Sequence, residues 1–184
     1  MRGAHPMYVN SAYLNNSLID FMDKSKPLIV GSCGTYHLFT HPRLPTYRPK
    51  GRLDFQILYI ASGKAHFYFN DNGIDTIVNA GNMVIYRPKE PQRYEYFGID
   101  QAEVYWVHFT GNDIKNMLRS YGITDNMHVI NTRTSLEYTR IFKQMILELQ
   151  RHQSDYPEML TLLLRQLLIL IHRQLTTENK KLPQ

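Results

Sequence analysis

The chain has 184 residues, of which 43% are hydrophobic and 20% charged, values that fit a folded globular domain and exclude a disordered segment. Cys33 is the single cysteine, so an intramolecular disulfide and a cysteine-rich metal site are excluded. The net charge of +5 is compatible with nucleic-acid binding, but the basic residues are scattered singly or in pairs. We therefore expect an ordinary solvated surface and no specific DNA binding by this chain alone.

Residues 1–27 are polar and aromatic, and we predict that they form an N-terminal arm. The stretch Met1–Tyr13 lacks the apolar core of a signal peptide. Near the other end, Arg165 and Arg173 interrupt an apolar stretch, which indicates a packed helix and not a membrane span. Together with the lone cysteine, these features favour a cytoplasmic protein with no membrane association.

Residues 28–111 consist of short segments rich in β-branched and aromatic residues, separated by glycine-containing turns such as Ser62-Gly63 and Asp71-Asn72-Gly73. We expect Gly34 to end the first strand and Pro42, Pro45 and Pro49 to form a loop. The predicted strands are Leu28–Cys33, Tyr36–Phe39, Asp54–Ala61, Lys64–Asn70, Ile74–Val78, Asn82–Tyr86, Arg93–Phe97 and Glu103–Phe109. Strands of this length and spacing predict a β-sandwich or barrel.

Residues 112–176 show helical periodicity and are predicted to form a helical subdomain, followed by a polar tail over 177–184. A short helix is expected over Asn112–Tyr121, and a loop at Asn131–Arg133. A second helix should begin after Thr134 as N-cap and bury one apolar stripe. A third should run from Pro157 to Leu175.

The last predicted helix has too many apolar residues for one face. An exposed apolar face usually marks an interface, so we expect two copies of the chain to associate through it. Leu163 and Leu167, one turn apart, are predicted to lie at the centre of that contact. The alternative is that the helix is wholly internal to one subunit.

Catalytic and metal-binding motifs are not evident. The sequence has no nucleophile elbow, phosphate loop or dinucleotide fingerprint. His37 and His41 are four residues apart, but in a strand this spacing of roughly 13 Å is too long for one ion. We therefore expect no catalytic residues, no metal and no cofactor.

A candidate ligand-binding surface comes from strand alternation. In Glu103–Phe109, alternation places Val104, Trp106 and His108 on one face, and Tyr105 on the other. An indole can pack on the C–H face of a sugar, and arginines can donate forked hydrogen bonds to hydroxyls or a carboxylate. Arg48 and Arg52 precede the Asp54 strand and could reach such a surface. The alternative is that Trp106 is only a core residue.

Five stretches in order are similar to the N-terminal effector domain of AraC-type bacterial transcription regulators. They are Cys33-Gly34, Arg48-Pro49-Lys50-Gly51-Arg52-Leu53-Asp54, Tyr59-Ile60-Ala61-Ser62-Gly63-Lys64-Ala65, Ala80-Gly81-Asn82-Met83-Val84-Ile85-Tyr86-Arg87-Pro88 and Tyr105-Trp106-Val107-His108-Phe109. The resemblance covers residues 28–175. It implies a mainly β fold, a cupin-like (jelly-roll) β-barrel followed by a helical hairpin that dimerises.

The resemblance also implies the ligand-binding residues. The ligand arginine of the arabinose-responsive member falls on Arg48, its stacking tryptophan on Trp106 and a ligand tyrosine on Tyr94. With neighbours, the expected ligand-binding set is Arg48, Tyr94, Trp106, His108, Arg52 and Tyr36. Val104 stands where that member has a ligand histidine, so arabinose itself is not expected. Arg93 lies where metal-binding cupins place a histidine, and only His66 remains, which favours a metal-free barrel.

These features together predict a ligand-sensing and dimerisation domain of a transcription regulator. Its expected partners are a small polar effector such as a sugar and a second copy of the chain. DNA would be bound only through a C-terminal helix-turn-helix domain that we expect this chain to lack. The alternatives are a cupin-fold enzyme, such as a sugar isomerase or metal-dependent oxygenase, and a domain that only dimerises.

Overall fold

The computed structural model describes residues 6–14, 22–69 and 75–179 and consists mainly of β-strands followed by helices. The strands are β1 (Met7–Tyr13), β2 (Ile29–Leu38), β3 (Arg43–Arg48), β4 (Phe55–Ser62), β5 (Lys64–Phe67), β6 (Thr76–Asn79), β7 (Asn82–Tyr86), β8 (Gln92–Phe97), β9 (Glu103–Thr110) and β10 (Val129–Asn131). The helices are α1 (Ile114–Ser120), α2 (Leu136–Arg151) and α3 (Tyr156–Asn179), and a 3-10 turn spans Gly98–Asp100.

The strands form two antiparallel sheets. The larger sheet has the order β1-β2-β9-β4-β7-β10, and the smaller has the order β3-β8-β5-β6. One apolar cluster includes inward-facing residues of both sheets, such as Leu58, Tyr96 and Trp106. A second cluster joins the opposite face of the larger sheet to the helices, through residues such as Tyr105 and Phe142. The central strands of the larger sheet, β2, β9 and β4, are therefore buried on both faces.

Strand β9 shows how one sequence serves both layers. Val104 and Trp106 belong to the inner cluster, whereas Tyr105, Val107 and Phe109 belong to the cluster against the helices. The alternation predicted for this strand is confirmed, because successive side chains of a strand point to opposite faces.

The first predicted strand break is wrong, because β2 runs through Gly34 without interruption. Gly34 lies opposite Trp106 on β9. A Cβ atom at position 34 would lie 2.5 Å from Cζ2 of Trp106, so only glycine leaves room for the indole across the strand. The glycine is thus a packing requirement and not a turn.

The predicted proline loop is also corrected, because β3 contains Pro45. Among the described strands, β3 is the edge of the smaller sheet and pairs only with β8, so the missing N–H of proline need not interrupt a ladder. Two further strands fall where none was expected. Strand β1 lies within the predicted arm and pairs with β2. Strand β10 lies in the predicted helical subdomain, overlaps the predicted loop only at Asn131 and pairs with β7.

The turn predicted at Asp71-Asn72-Gly73 lies outside the described residues. The other hairpin turns fall where predicted, with Gly63 at φ +67° between β4 and β5 and Gly81 at φ +86° between β6 and β7. Left-handed backbone of this kind favours glycine.

Helix α2 begins one residue later than predicted. Ser135, not Thr134, is the N-cap, and its hydroxyl accepts a hydrogen bond from the backbone N–H of Glu137. The predicted apolar stripe is confirmed, since Ile141, Phe142 and Met145 are buried against the larger sheet and α3.

The two leucines predicted to face outward on α3 are instead buried. Leu167 is fully buried and Leu163 only 6% exposed, because both pack into the cluster beneath the larger sheet. The exposed apolar residues of α3 are Met159, Leu162 and Ile169, at 46%, 55% and 38%. Composition alone could not choose between these faces, since leucine or isoleucine occupies both.

Candidate ligand-binding site

A polar cavity of about 120 Å³ lies between the two sheets. Its walls come from β1, β2, β3, β4, β8 and β9, together with Arg52 from the β3–β4 connection. The lining residues are Tyr13, Ser32, Tyr36, Thr46, Arg48, Arg52, Gln56, Leu58, Tyr94, Trp106 and His108. The six residues predicted to bind ligand therefore all line one cavity.

The larger sheet supplies a wall of two cross-strand rows. In one row Leu58 of β4 lies opposite Trp106 of β9, which lies opposite Gly34 of β2. In the next row Gln56 and Ser32 flank His108. An apolar-aromatic row thus lies beside a polar row, which gives the wall an amphipathic character.

The aromatic side chains cluster around the indole. The ring centroids of Tyr13 and Tyr36 lie 6.0 Å and 6.3 Å from that of Trp106. The His108 ring meets the indole edge-on at 5.0 Å. Nε1 of Trp106 is buried and lacks a well-formed hydrogen bond to any described residue. The Tyr36 hydroxyl lies nearby: burial raises the pKa of Tyr36, and the indole N–H opposes this rise. A buried, unpartnered N–H is available to a ligand.

Arg52 and Asp54 form a closed ion pair beside the cavity. Nε and Nη2 of Arg52 donate to the two carboxylate oxygens of Asp54, at 2.7 Å and 2.9 Å. Burial raises the pKa of Asp54, but the hydrogen bonds and charge of Arg52, together with the nearby His108, outweigh it and hold that pKa below its usual value. The charge of Asp54 is therefore neutralised by an arginine in a bidentate geometry.

His108 is neutral at pH 7. Burial lowers its pKa to about 4, and the positive charges of Arg52 and Arg48 add to this effect against the opposing influence of Asp54. Nδ1 of His108 lies 3.6 Å from Oδ1 of Asp54, too far for a hydrogen bond. His108 can thus offer a neutral imidazole to the cavity.

Arg48 starts a chain of polar contacts that crosses from one sheet to the other. Its Nη1 donates to Oε1 of Gln92 at 2.8 Å and to the Tyr94 hydroxyl at 3.3 Å. Nε2 of Gln56, on the larger sheet, donates to the same hydroxyl at 3.3 Å. Because the Tyr94 oxygen accepts both bonds, its own O–H is free to donate into the cavity.

Sequence reasoning missed five lining residues: Tyr13, Ser32, Thr46, Gln56 and Leu58. Strand parity places Gln56 and Leu58 together on one face of the predicted Asp54–Ala61 strand, whereas Thr46 lies in β3, which was predicted as a loop. Tyr13 gave no such signal, because its strand was not predicted.

Within residues 6–14, 22–69 and 75–179, no cluster of three or more His, Cys, Asp or Glu side chains could hold a metal ion. Across the same ranges, no helix has both the length and the hydropathy needed to span a membrane.

A mainly β barrel with a polar internal cavity and C-terminal helices defines a cupin-like domain. The chain matches the family model of the AraC-like ligand-binding domain over residues 32–168. It therefore belongs to the AraC-like ligand-binding domain family, and the suspected resemblance is confirmed. No curated protein sequence matches it significantly.

The solved structure of an AraC-like activator agrees with the fold, and a second similar structure is also found. The AraC-like transcriptional activator CuxR matches with a TM-score of 0.50 and 10% identity, over 80% of this chain and 52% of that protein. ToxT of Vibrio cholerae matches with a TM-score of 0.45 and 15% identity, over 97% of this chain and 57% of that one. The chain thus spans about half the length of these two proteins. At 10% identity, the likeness to CuxR shows a common fold and nothing about the ligand.

Proposed function

We propose that this chain is the effector-sensing and dimerisation domain of an AraC-type transcription regulator. A small polar effector would bind in the cavity between the sheets. We propose that it is a sugar, because the cavity presents both hydrogen-bonding groups and aromatic faces. Binding would control a DNA-binding domain carried elsewhere in the regulator, and the domain itself would perform no catalysis.

The observation that carries this proposal is the convergence of hydrogen-bonding groups and aromatic faces on one cavity. Arg48, Tyr94 and Trp106 present donors, while Trp106 and Tyr36 present ring faces. Sugars offer hydroxyl groups at their rim and C–H groups on their faces, so such a lining can contact both. A purely structural core would have paired its buried polar atoms internally.

The experiment is a thermal-shift screen of the purified chain against monosaccharides, disaccharides and uronic acids. A ligand of the folded state raises the melting temperature in proportion to RT ln(1 + [L]/Kd). Metal analysis of the same preparation tests the enzyme alternative, since stoichiometric iron, manganese or zinc would contradict the proposal. A hit that also stabilises a Trp106→Ala variant equally well would place the binding site elsewhere.

We propose that the N-terminal strand reports cavity occupancy. Tyr13, the last residue of β1, lines the cavity beside Trp106. A ligand can stabilise this segment only if it binds more tightly when β1 is paired with β2 than when β1 is detached. Hydrogen exchange of the β1 amides should therefore slow on ligand binding, whereas exchange in α2 should not change.

We propose that α3 also forms the contact between two copies of the chain. Met159, Leu162 and Ile169 are exposed apolar residues spaced three and seven residues apart, which places them along one face of the helix. A symmetric antiparallel pairing would bury this stripe in both copies. Leu163 and Leu167 would support the helix from beneath and not enter the contact.

Sedimentation at micromolar concentration tests the association. The wild-type chain should sediment as a dimer, and Leu162→Glu combined with Ile169→Glu should give a folded monomer. Leu147→Glu, at an apolar residue of α2 that is exposed to a similar degree, is the matched control and should remain dimeric. A monomeric wild-type chain would contradict the association.

A further inference from the structure

The charged groups that line the cavity are unbalanced. Arg48 and Arg52 line it, together with a neutral His108, but no aspartate or glutamate of the described ranges does. Asp54 neutralises Arg52 from beside the cavity through two hydrogen bonds. One positive charge, that of Arg48, remains without a carboxylate partner among the described residues.

Arg48 uses only part of its guanidinium group. Its Nη1 binds Gln92 and Tyr94, both neutral, whereas its Nε and Nη2 form no hydrogen bond to the described part of the chain. These two donors lie side by side in the geometry that matches the two oxygens of a carboxylate. A bound neutral ligand would cover this cation without compensating its charge, which is costly in a desolvated site.

The neighbouring groups also favour an acceptor-rich ligand. The Tyr94 hydroxyl already accepts from Arg48 and Gln56, so it can donate, and Nε1 of Trp106 can only donate. The field of Arg48 reaches across the cavity, since its charge lowers the pKa of His108 and opposes the raised pKa values of Tyr36 and Tyr96. A ligand oxygen with negative charge would satisfy these groups together.

We propose that the effector is a monoanionic sugar, a monosaccharide that carries one carboxylate, and that Arg48 binds this carboxylate with its Nε and Nη2 edge. This inference rests on the proposed sensing of a sugar in the same cavity. One unpaired arginine matches one negative charge. A phosphorylated sugar, with about −1.5 to −2 charges at neutral pH, would exceed it. The aromatic cluster around Trp106 packs on the ring, and the carboxylate lies at the Arg48 side.

Matched sugar pairs test the proposal directly. D-galacturonate and D-galactose, and D-glucuronate and D-glucose, differ only in whether C6 is a carboxylate or a hydroxymethyl group. Calorimetry on the wild-type chain at constant ionic strength should show that at least one uronate binds about 10- to 100-fold more tightly than its neutral partner, the usual strength of a hydrogen-bonded charge. Acetate, which has the charge without the ring, should bind far more weakly than that uronate.

Arg48→Gln should remove this preference, because it keeps a donor for Gln92 but loses the charge and the fork. The affinity for the uronate should fall about 10- to 100-fold, and the affinity for the neutral sugar should change by less than about three-fold. Arg93→Gln is the matched control. Arg93 lies on the outer face of β8, the strand that pairs with β3, over the ring of Tyr68 at 4.5 Å, and its loss removes an equal charge. Thermal melting of each variant confirms folding before binding is measured.

Three results would overturn the proposal, and they are distinguishable. If a neutral sugar binds as tightly as its uronate, the cavity senses sugars but does not select an anion. If a uronate preference survives Arg48→Gln, or is lost equally in Arg93→Gln, Arg48 does not bind the carboxylate. If no member of either pair binds the wild-type chain, both the anionic sugar and the proposed sugar-sensing function fail.

Discussion

The two faces of the larger sheet differ in what they contact. The face toward the helices consists of apolar side chains such as Tyr105, Val107 and Phe109, packed against α2 and α3. The face toward the smaller sheet carries Gln56 and His108 beside Trp106, with buried polar atoms that the described residues leave unpaired. Both faces belong to the same three strands, β2, β9 and β4, so a single alternating sequence builds both layers.

This contrast separates stability from ligand binding within one sheet. Burial of apolar surface in the helix layer contributes to the free energy of folding, at about 25 cal/mol for each Å² removed from water. The cavity layer gives up part of that gain, because unpaired buried polar groups are destabilising until a ligand satisfies them. Sites that violate packing rules in this way are typically functional. Substitutions on the helix face should therefore mainly lower stability, and substitutions on the cavity face should also change ligand binding or pH dependence. Substitutions at four positions test this comparison.

The largest effect is expected in the helix layer. Leu167→Glu places a carboxylate in an apolar cluster with no partner, so it should abolish cooperative folding. Leu162→Glu, five residues away on the exposed side of α3, should leave the free energy of unfolding of the single subunit within about 1 kcal/mol of wild type. Urea unfolding followed by circular dichroism measures both. Similar stabilities for the two variants would show that α3 does not face the sheet as described.

Trp106→Ala should affect the cavity layer. Loss of the indole should weaken binding of the effector by about 1–3 kcal/mol, through the lost ring contact and the lost N–H donor. The free energy of unfolding should fall as well, since Trp106 is buried in the inner cluster. Trp106→Phe is the informative control. It should keep most of the stability yet lose the N–H contact, and unchanged affinity in both variants would argue against a role in binding.

The pKa of His108 gives the cavity layer a pH dependence. Its folded-state pKa is lowered from 6.5 to about 4, so the unfolded chain takes up a proton first as the pH falls. The free energy of unfolding should therefore fall between pH 6.5 and 4, on the order of 1–2 kcal/mol by pH 5. His108→Gln should flatten this slope, whereas His41→Gln, outside the cavity, should not. An equal slope in wild type and His108→Gln would contradict a neutral buried imidazole.

His66, on the smaller sheet, should show the smallest effect and the opposite sign. Burial lowers its pKa, but hydrogen bonds to Asp75 at 2.7 Å and Asp100 at 3.0 Å outweigh it and raise the pKa above 6.5. The stabilisation is thus complete below the unfolded pKa and is lost as the pH rises through the folded pKa. His66→Gln should cost less than about 1 kcal/mol at pH 5.5 and still less at pH 8.5. Chemical unfolding at the two pH values measures the loss of unfolding free energy in His66→Gln. A larger loss at pH 8.5 than at pH 5.5 would show that Asp75 and Asp100 do not stabilise a protonated His66.

The sites that sequence reasoning found and those it missed have different physical causes. The face shared by Trp106 and His108 follows from strand alternation, which is a local property of the backbone. Arg48 and Tyr94 lie 46 residues apart in the sequence. Only the resemblance to a family predicted that both belong to one site, and the pairing of β3 with β8 in the structure places them in contact. Tyr13 was missed because the pairing of β1 with β2 depends on contacts between distant segments.

The sequence by itself determined that a region of strands precedes a region of helices, that Gly63 and Gly81 form turns, and that side chains alternate along β9. These are consequences of short-range geometry and of residue propensity. Only the tertiary structure decided which face of α3 is buried, that Gly34 makes room for an indole, and that Asp54 pairs with Arg52 while no carboxylate of the described residues pairs with Arg48. Each of these features depends on contacts between residues that are far apart in the sequence. Local sequence does not identify the contacting residue, because volume and charge are matched only once the chain has folded.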